Sequence, residues 1–351
     1  MSTKNTKCTS VQVGKRSVRL DKPAYILQSA SVVGTKESEG PLGDLFDLVG
    51  ENDKFGEDSW EMAEATLQKD ALTLAIGKAK LTPRDIRYVF AGDLLGQAMA
   101  SSFGLESFEI PLFGLYGACS TCGESLSLAA MTVAAGYGNY VAAVTSSHFA
   151  SAEKQFRFPL EYANQRPMCA TWTVTGSGAY ILGSKTKENE SPLGRITGVT
   201  TGVIVDYSIK DSMNMGAAMA PAACETIETH FKDFGINPKE YDKIITGDLG
   251  TVGSEILTTM LKERGYEISR QHEDCGVKIF DDETQNTGAG GSGCGCSASV
   301  LSAYYLPKIA SGELKKILFV PTGALLSPVS FNEGQSVPGI AHAVVIEHVE
   351  V

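Results

Sequence analysis

Cys119 stands in Gly117-Ala-Cys-Ser-Thr121, directly after the apolar run Ile110 to Tyr116 and directly before a long stretch of small residues. A thiol at the start of a helix meets unpaired N–H groups and positive dipole potential, which favour a thiolate and suit an anionic ligand. The same residue is otherwise a small hydrophobe, as free cysteines often are in cores. Cys294 and Cys296 follow the run Gly288-Ala-Gly-Gly-Ser-Gly293, where Gly291 and Gly293 let a backbone approach a ligand closely. A plain flexible loop is the alternative for that run. Cys119 and Cys122 also form a C-x-x-C pair, a redox spacing, and with Cys294 and Cys296 they offer four thiolates to a metal. C-x-C spacing is uncommon for zinc and the thioredoxin-like surroundings are missing, so redox and metal chemistry are the weaker readings.

The elements that position these residues are written twice. Leu81-Thr-Pro-Arg-Asp-Ile-Arg-Tyr-Val-Phe-Ala-Gly-Asp-Leu94 resembles Ile236-Asn-Pro-Lys-Glu-Tyr-Asp-Lys-Ile-Ile-Thr-Gly-Asp-Leu249. Thr82 and Asn237 are good N-caps followed by proline, so each copy opens a short helical turn and runs into an apolar strand ending at Gly-Asp. Asp93 and Asp248 therefore occupy equivalent strand ends, facing a shared cleft or capping local N–H groups. Helical patterns precede both copies, at Trp60 to Lys80 and Met215 to Phe234. Downstream, Gly117 to Gly136 and Gly293 to Gly312 read as helices, each followed by a strand, Tyr140 to Thr145 and Lys316 to Val320. Further strands, Ala179 to Leu182 and Ala343 to Ile346, close the halves, and the polar stretch from Lys185 to Pro192 reads as a linker. The expected division is an N-terminal extension over 1–21, a first half over 22–190 and a second over 191–351.

Strands alternating with helices imply an α/β architecture with largely parallel sheets. The two small-residue helices carry almost no charge on any side, so both belong between sheets with the amphipathic helices outside. That arrangement has layers α-β-α-β-α and an internal pseudo-twofold.

Length and charge bound what such a chain does. Its 351 residues suit about two domains. With 43% hydrophobic and 20% charged residues a substantial core is expected. A formal charge of −11 argues against an extended nucleic-acid footprint. Eight cysteines are too few for a disulfide scaffold and fit a reducing compartment. Met1 to Leu20 is polar and basic, unlike a signal peptide. Ser125 to Ala152 lacks Asp, Glu, Lys and Arg, but Gly136, Gly138 and Asn139 interrupt it, so a buried helix, a turn and a strand are expected rather than a membrane span.

The duplicated halves, Gly-Ala-Cys119 at a helix start and the late glycine-rich run resemble the thiolase superfamily, with a length similar to ketoacyl synthase III. More narrowly, Ala91-Gly-Asp-Leu-Leu95, Gly117-Ala-Cys-Ser-Thr121, Ser146-Ser-His148 and Thr175-Gly-Ser-Gly-Ala179 resemble the stage V sporulation protein AD family. Met219-Ala-Pro-Ala-Ala223, Gly290-Gly-Ser-Gly-Cys294 and Thr322-Gly-Ala-Leu-Leu-Ser-Pro328 do so too. The resemblance implies a five-layer thiolase-like αβαβα fold and a homodimer. It also implies binding of dipicolinic acid or its calcium chelate during uptake into the forespore. The implied setting is the periphery of the spore inner membrane, alongside other stage V sporulation A membrane proteins, with no cofactor and no resident metal.

The resemblance also sets a test for catalysis. Condensing thiolase-fold enzymes are understood to pair the cysteine with a histidine and a second histidine or asparagine. Here Asp248 stands near the first of these positions, and the second falls in the glycine-rich run, which has neither residue between Thr287 and Cys296. The reading is a condensing scaffold converted to binding; the rival is an acyltransferase using Cys119 as nucleophile with an unusual proton carrier. For a dicarboxylate ligand, His148 and Arg157 are the candidate partners, with exposed or interfacial charge as the alternative. Asp93 and Asp248 are the candidates for contact with a chelated calcium.

Overall fold

The computed structural model describes residues 11–155, 165–184, 186 and 191–350. Most of the expected linker, and Arg157, lie outside these residues.

Each half builds the same five-stranded pattern. In the first, β1 (Ser17–Val33), β2 (Tyr88–Gly92), β3 (Leu112–Leu115), β4 (Tyr140–Ser147) and β5 (Gly176–Gly183) lie in the order β1-β5-β4-β2-β3. In the second, β6 (Gly194–Thr200), β7 (Lys243–Thr246), β8 (His272–Asp274), β9 (Lys316–Val320) and β10 (Ala343–Glu347) lie in the order β6-β10-β9-β7-β8. First, fifth, fourth, second, third is the sequence in both, so the duplication read from Gly92-Asp93 and Gly247-Asp248 extends to topology. The inner pairs are parallel, β2 with β3 and β4, β7 with β8 and β9. The last strand of each half runs antiparallel to both its neighbours, so the sheets are mixed rather than largely parallel.

The two patterns are also joined. Antiparallel pairing of β1 with β6, with a register break between Arg19 and Ala24, joins the two into one sheet, which reaches twelve strands with the short strands Gln12–Val13 and Leu48–Val49 that also pair with β1. The expected boundary at residue 22 falls inside β1.

Helices form where the repeat places them. Ser59 accepts a hydrogen bond from the Met62 N–H at 3.2 Å and starts α1 (Trp60–Lys78). It is followed by α2 (Met99–Leu105), α3 (Thr121–Ala134) and α4 (Phe149–Glu153). The second half contributes α5 (Met215–Phe234), α6 (Gly250–Glu263) and α7 (Cys294–Val300). Beyond Val300 the helix widens into a π-helical turn at Leu301–Tyr305 before Leu306–Ala310, where Pro307 cannot donate a backbone hydrogen bond. The repeated Pro motifs form matching 3-10 turns at Pro83–Asp85 and Pro238–Glu240.

Three apolar clusters fix the layers. Leu126, Ala129 and Val133 of α3 meet Ala298 and Val300 of α7 together with Phe90, Ile245, Phe319 and Ile346 from both sets of strands. Outside the first set, Leu67, Ala71 and Leu72 of α1 cover Val89, Val144 and Ile181. Outside the second, Ala223 and Ile227 of α5 with Leu257 of α6 cover Ile244, Leu318 and Val345. Val89 and Phe90, Ile244 and Ile245, Leu318 and Phe319 point to opposite layers, as the two-residue strand period requires. The result is αβαβα with α3 and α7 in the middle. Among the described residues no helix is long and apolar enough to cross a membrane; the uncharged run from Ser125 is α3, a turn and β4.

Candidate functional site

The end of β3 delivers Cys119. After Leu115 the chain turns through a 3-10 turn, Ala118–Ser120, into α3. Ala118 holds φ at 52°, a left-handed conformation that residues with a Cβ rarely adopt. Side chains lock it: Thr121 Oγ1 donates to Ala118 O at 2.6 Å and accepts from the Gly117 N–H at 3.0 Å, and Ser120 Oγ donates to Gly117 O at 2.6 Å. The strand Thr322–Ala324 closes against this turn; a Cβ on Gly323 would lie 2.6 Å from Gly117 O.

Asp248 lies directly behind the sulfur. Its carboxylate accepts the Gly293 N–H at 2.9 Å and the Thr322 hydroxyl at 2.7 Å, and the Cys119 thiol lies beside it. Burial pushes Asp248 up to about 7, opposed by those three groups. Burial, then the charge of Asp248, hold the Cys119 thiol well above its ordinary value, and the Gly293 N–H opposes them only in part. The depressed thiol expected from a helix N-terminus is therefore reversed, because desolvation outweighs the dipole.

Cys119 forms part of the wall of a cavity of about 260 Å³. Leu94, Met215, Leu325, Leu326 and Pro328 make its apolar part; Tyr116, Gln155, Thr173, Ser292 and Ser327 bring polar groups, and Gly293 faces Cys119 from the glycine-rich run. Among the described residues no charged side chain and no imidazole lines it. The positive φ values of Gly288, Gly290 and Gly293 shape that run, and a Cβ on Gly293 would lie 2.4 Å from Ser147 Oγ.

The other sequence candidates sit behind the walls. Asp93 Oδ1 accepts the Leu95 N–H, and its Oδ2 accepts the Ser101 N–H and hydroxyl, at 2.7–2.8 Å, so it organises the loop that presents Leu94 rather than the cavity surface. The shared cleft expected between Asp93 and Asp248 is not formed; both carboxylates are filled by local donors. His148 is 1% exposed: Nδ1 accepts the Ala150 N–H at 3.1 Å, capping α4, and Nε2 faces Asp53 O at 2.7 Å. That fixes the neutral tautomer with its proton on Nε2. Gly291 pairs with Trp172 in a short parallel ladder one step from the cavity. The remaining imidazoles bond elsewhere, His230 to Thr200 and Tyr241, His272 to Thr246, His342 to the Gly202 N–H and His348 to Ile309 O. Cys122 is buried in the central core, its thiol pushed up to about 12. Cys294 donates to Ser146 O at 2.9 Å and Cys296 sits against Gly247 O at 3.6 Å. Cys119, Cys122, Cys294 and Cys296 are all free, and no metal-binding group of His, Cys, Asp or Glu exists among the described residues.

Comparison with known proteins then places the chain. A sequence model of the stage V sporulation protein AD family matches residues 14–347. The chain belongs to that family. Over 334 residues it is 42% identical to stage V sporulation protein AD of Bacillus subtilis (strain 168), covering 95% of this chain and 97% of that protein. Solved structures share the fold at low identity. The 3-oxoacyl-[acyl-carrier-protein] synthase III of Aquifex aeolicus VF5 aligns over 92% of this chain and 99% of its own, with TM-score 0.54 and 12% identity. Human mitochondrial 3-ketoacyl-CoA thiolase in complex with CoA aligns over 95% and 99%, with TM-score 0.60 and 14% identity. The chain is thus a sporulation protein on a thiolase-like scaffold.

Sequence reasoning missed two residues that shape this site. Glu64 and Gln68 of α1 are fully buried behind it. Their signal was present: an i, i+4 polar pair among Ala63, Ala65, Leu67, Ala71 and Leu72, where an exposed helix face would carry charge.

Proposed function

We propose that this protein binds dipicolinic acid, free or as its calcium chelate, in the Cys119 cavity, and does not catalyse condensation. The observation that carries the reading is the lining around Cys119: among the described residues it holds no imidazole, and the group beside the thiol is the Asp248 carboxylate, whose charge raises the thiol where an imidazolium would lower it. A thiol in that state packs against a ligand instead of attacking it. The ligand class is the one that the sequence resemblance implies, and the size of the cavity supports it. Its volume of about 260 Å³ suits a single planar ring with small substituents. The calcium chelate carries no net charge, so a lining that has no charged side chain among the described residues can hold it without a buried counter-ion. The amide oxygen of Gln155 and the hydroxyls of Thr173 and Ser327 are oxygen ligands of the type calcium accepts at open positions.

The same reading places the protein at the periphery of the spore inner membrane with other stage V sporulation A membrane proteins, delivering dipicolinate to the forespore, and makes it a homodimer. Support for the dimer comes from β3, which ends the sheet with one edge unpaired and with Leu112 and Phe113 41% and 50% exposed. Titration calorimetry with dipicolinic acid, with and without calcium, on wild type and Cys119→Ala tests the binding. Binding by wild type that weakens in the variant is the expected result. Mass spectrometry after incubation with acyl-coenzyme A tests the rival, since a Cys119 acyl adduct that turns over would establish an acyltransferase.

A further inference from the structure

Behind the cavity lies a buried polar network that includes neither the Cys119 thiol nor Asp248, and in it Gln68 Oε1 has no hydrogen-bond partner among the described residues. Glu64, on α1, places Oε1 3.0 Å from Ser146 Oγ and Oε2 2.5 Å from Ser151 Oγ. Gln68, one turn on, brings its amide nitrogen to Ser146 Oγ at 3.0 Å, Ser101 Oγ at 3.2 Å and Gly92 O at 3.3 Å. Ser101 in turn donates to Asp93. The network touches three walls of the cavity from behind. Asp93 shapes the loop carrying Leu94, Ser151 lies in α4 beside the lining residue Ala152, and Ser146 O receives the Cys294 thiol next to Gly293.

Burial and neighbours assign the protonation. Glu64 is fully buried, its partners are two hydroxyls, and among the described residues it makes no ion pair. Ser151 Oγ also lies 3.1 Å from His148 O, which already accepts the Ala152 N–H. A neutral Glu64 can donate to Ser151 and accept from Ser146. An ionised Glu64 would set two buried carboxylates, its own and that of Asp93, close together without a counter-ion. The charged and titratable neighbours agree: Asp93 from the β2 loop, Glu61 from α1 and the Cys294 thiol from α7 face Glu64, and none is a cation. Asp93, with three donors, keeps the charge.

We infer that Glu64 is a positioning residue that works as a neutral carboxylic acid, tying α4, β4 and the Asp93 loop into the walls of the Cys119 cavity. Its effect on ligand rests on the binding reading above; its effect on the walls does not. Burial, and then Asp93, push Glu64 up to about 8, so the arrangement holds at neutral pH and fails as pH rises through that value.

The test uses the full chain as wild type, Glu64→Gln and Glu64→Ala. Glutamine can donate to Ser151 and accept from Ser146, so it reproduces the neutral acid; alanine leaves buried hydroxyls unpaired. Amide hydrogen exchange of residues 94–101 and 149–155, corrected for intrinsic pH dependence, is read from pH 6.5 to 9. Wild type is expected to lose protection in both segments above pH 8, Glu64→Gln to stay protected throughout, and Glu64→Ala to be unprotected at every pH. Calorimetry with dipicolinate and its calcium chelate should follow, with affinity falling on the order of tenfold in Glu64→Ala and in alkaline wild type, but not in Glu64→Gln. Should Glu64→Ala not fold, the Gln pH series decides alone. A Gln variant that loses protection at pH 7, or a wild type whose protection is flat to pH 9, overturns the inference. Absence of dipicolinate binding in wild type with the exchange pattern intact would sink the ligand reading alone.

Discussion

The Cys119 thiol lies beside the Asp248 carboxylate, both buried, and among the described residues no imidazole lines the cavity that Cys119 borders. In a working nucleophile the neighbour takes the proton and stays beside the thiolate as a cation; here a neighbouring negative charge makes thiolate formation harder. Alkylation of Cys119 by iodoacetamide at pH 7.5 should be slower than that of a free thiol by on the order of tenfold or more, since each unit of upward shift removes nine-tenths of the thiolate. Asp248→Asn removes the opposing charge and should raise the rate. Peptide mapping after timed alkylation, with the denatured chain as reference, gives both numbers. Native alkylation as fast as the denatured reference would mean that the thiol is free to react.

Gly293 sits where three demands meet. Its φ of 105° disfavours any side chain, its N–H donates to Asp248, and a Cβ would strike Ser147 Oγ. Gly293→Ala should cost on the order of 1–3 kcal/mol and distort the cavity beside Cys119. Denaturant unfolding with ligand calorimetry measures both. An alanine variant with parental stability and affinity would show that the run tolerates a side chain and that its glycines are incidental.

Much of this organisation was legible in the chain. The Pro-cap, apolar strand and Gly-Asp ending recur because each half solves the same packing problem, and the helices after Gly117 and Gly293, whose charges are Glu124 and Lys308, had no place except between layers. The pairing of β1 with β6 was not legible, since both strands are apolar segments whose partner is settled by register and not by composition. At the site, Gly293 faces Cys119, the side on which the repeat put the glycine-rich run, and Asp248 lies beside both. His148 does not join them: its sequence context shows a histidine near a strand end, whereas the Ala150 N–H and Asp53 O that consume its nitrogens are set by the loop geometry. Side chains that hold backbone from behind look like ligand-binding residues until their partners are known.

Arg166 and Glu153 make a buried pair, 5% and 0% exposed at the side chain and 3.5 Å apart. The guanidinium also stacks 4.3 Å over Trp172 and donates to Thr171 O at 2.9 Å, while Glu153 accepts the Thr173 N–H at 3.0 Å. Thr173 lines the cavity, so this pair anchors that wall. Arg166→Leu takes the guanidinium away from a buried carboxylate and should destabilise by about 3–5 kcal/mol; adding Glu153→Gln should recover part of the loss. A double-mutant cycle by chemical denaturation reads the coupling, and additive effects would show the two residues to be independent.

Stability should fall as pH rises from 6.5 to 8, which is the reverse of a protein dominated by salt-bridged carboxylates. Burial raises Glu37 and Glu64 to about 8, Asp248 to about 7 and Asp274 to about 6. Each acid is raised above its unfolded value, so the native chain holds protons that the unfolded chain releases, and stability declines with pH until the native value is passed. His230 is lowered to about 3, and His272 and His342 to about 4. These imidazoles act in the opposite direction, but only below their unfolded value near 6.5, where the unfolded chain gains protons that the native chain refuses. Above 6.5 the acids act alone, and Glu37 and Glu64 carry most of the slope, about 1–2 kcal/mol per pH unit. Urea midpoints at closely spaced pH values from 6.5 to 8 measure it, and Glu64→Gln should make the decline about half as steep. A flat or rising profile across that range would mean that these carboxyls ionise in the folded chain as readily as in the unfolded one.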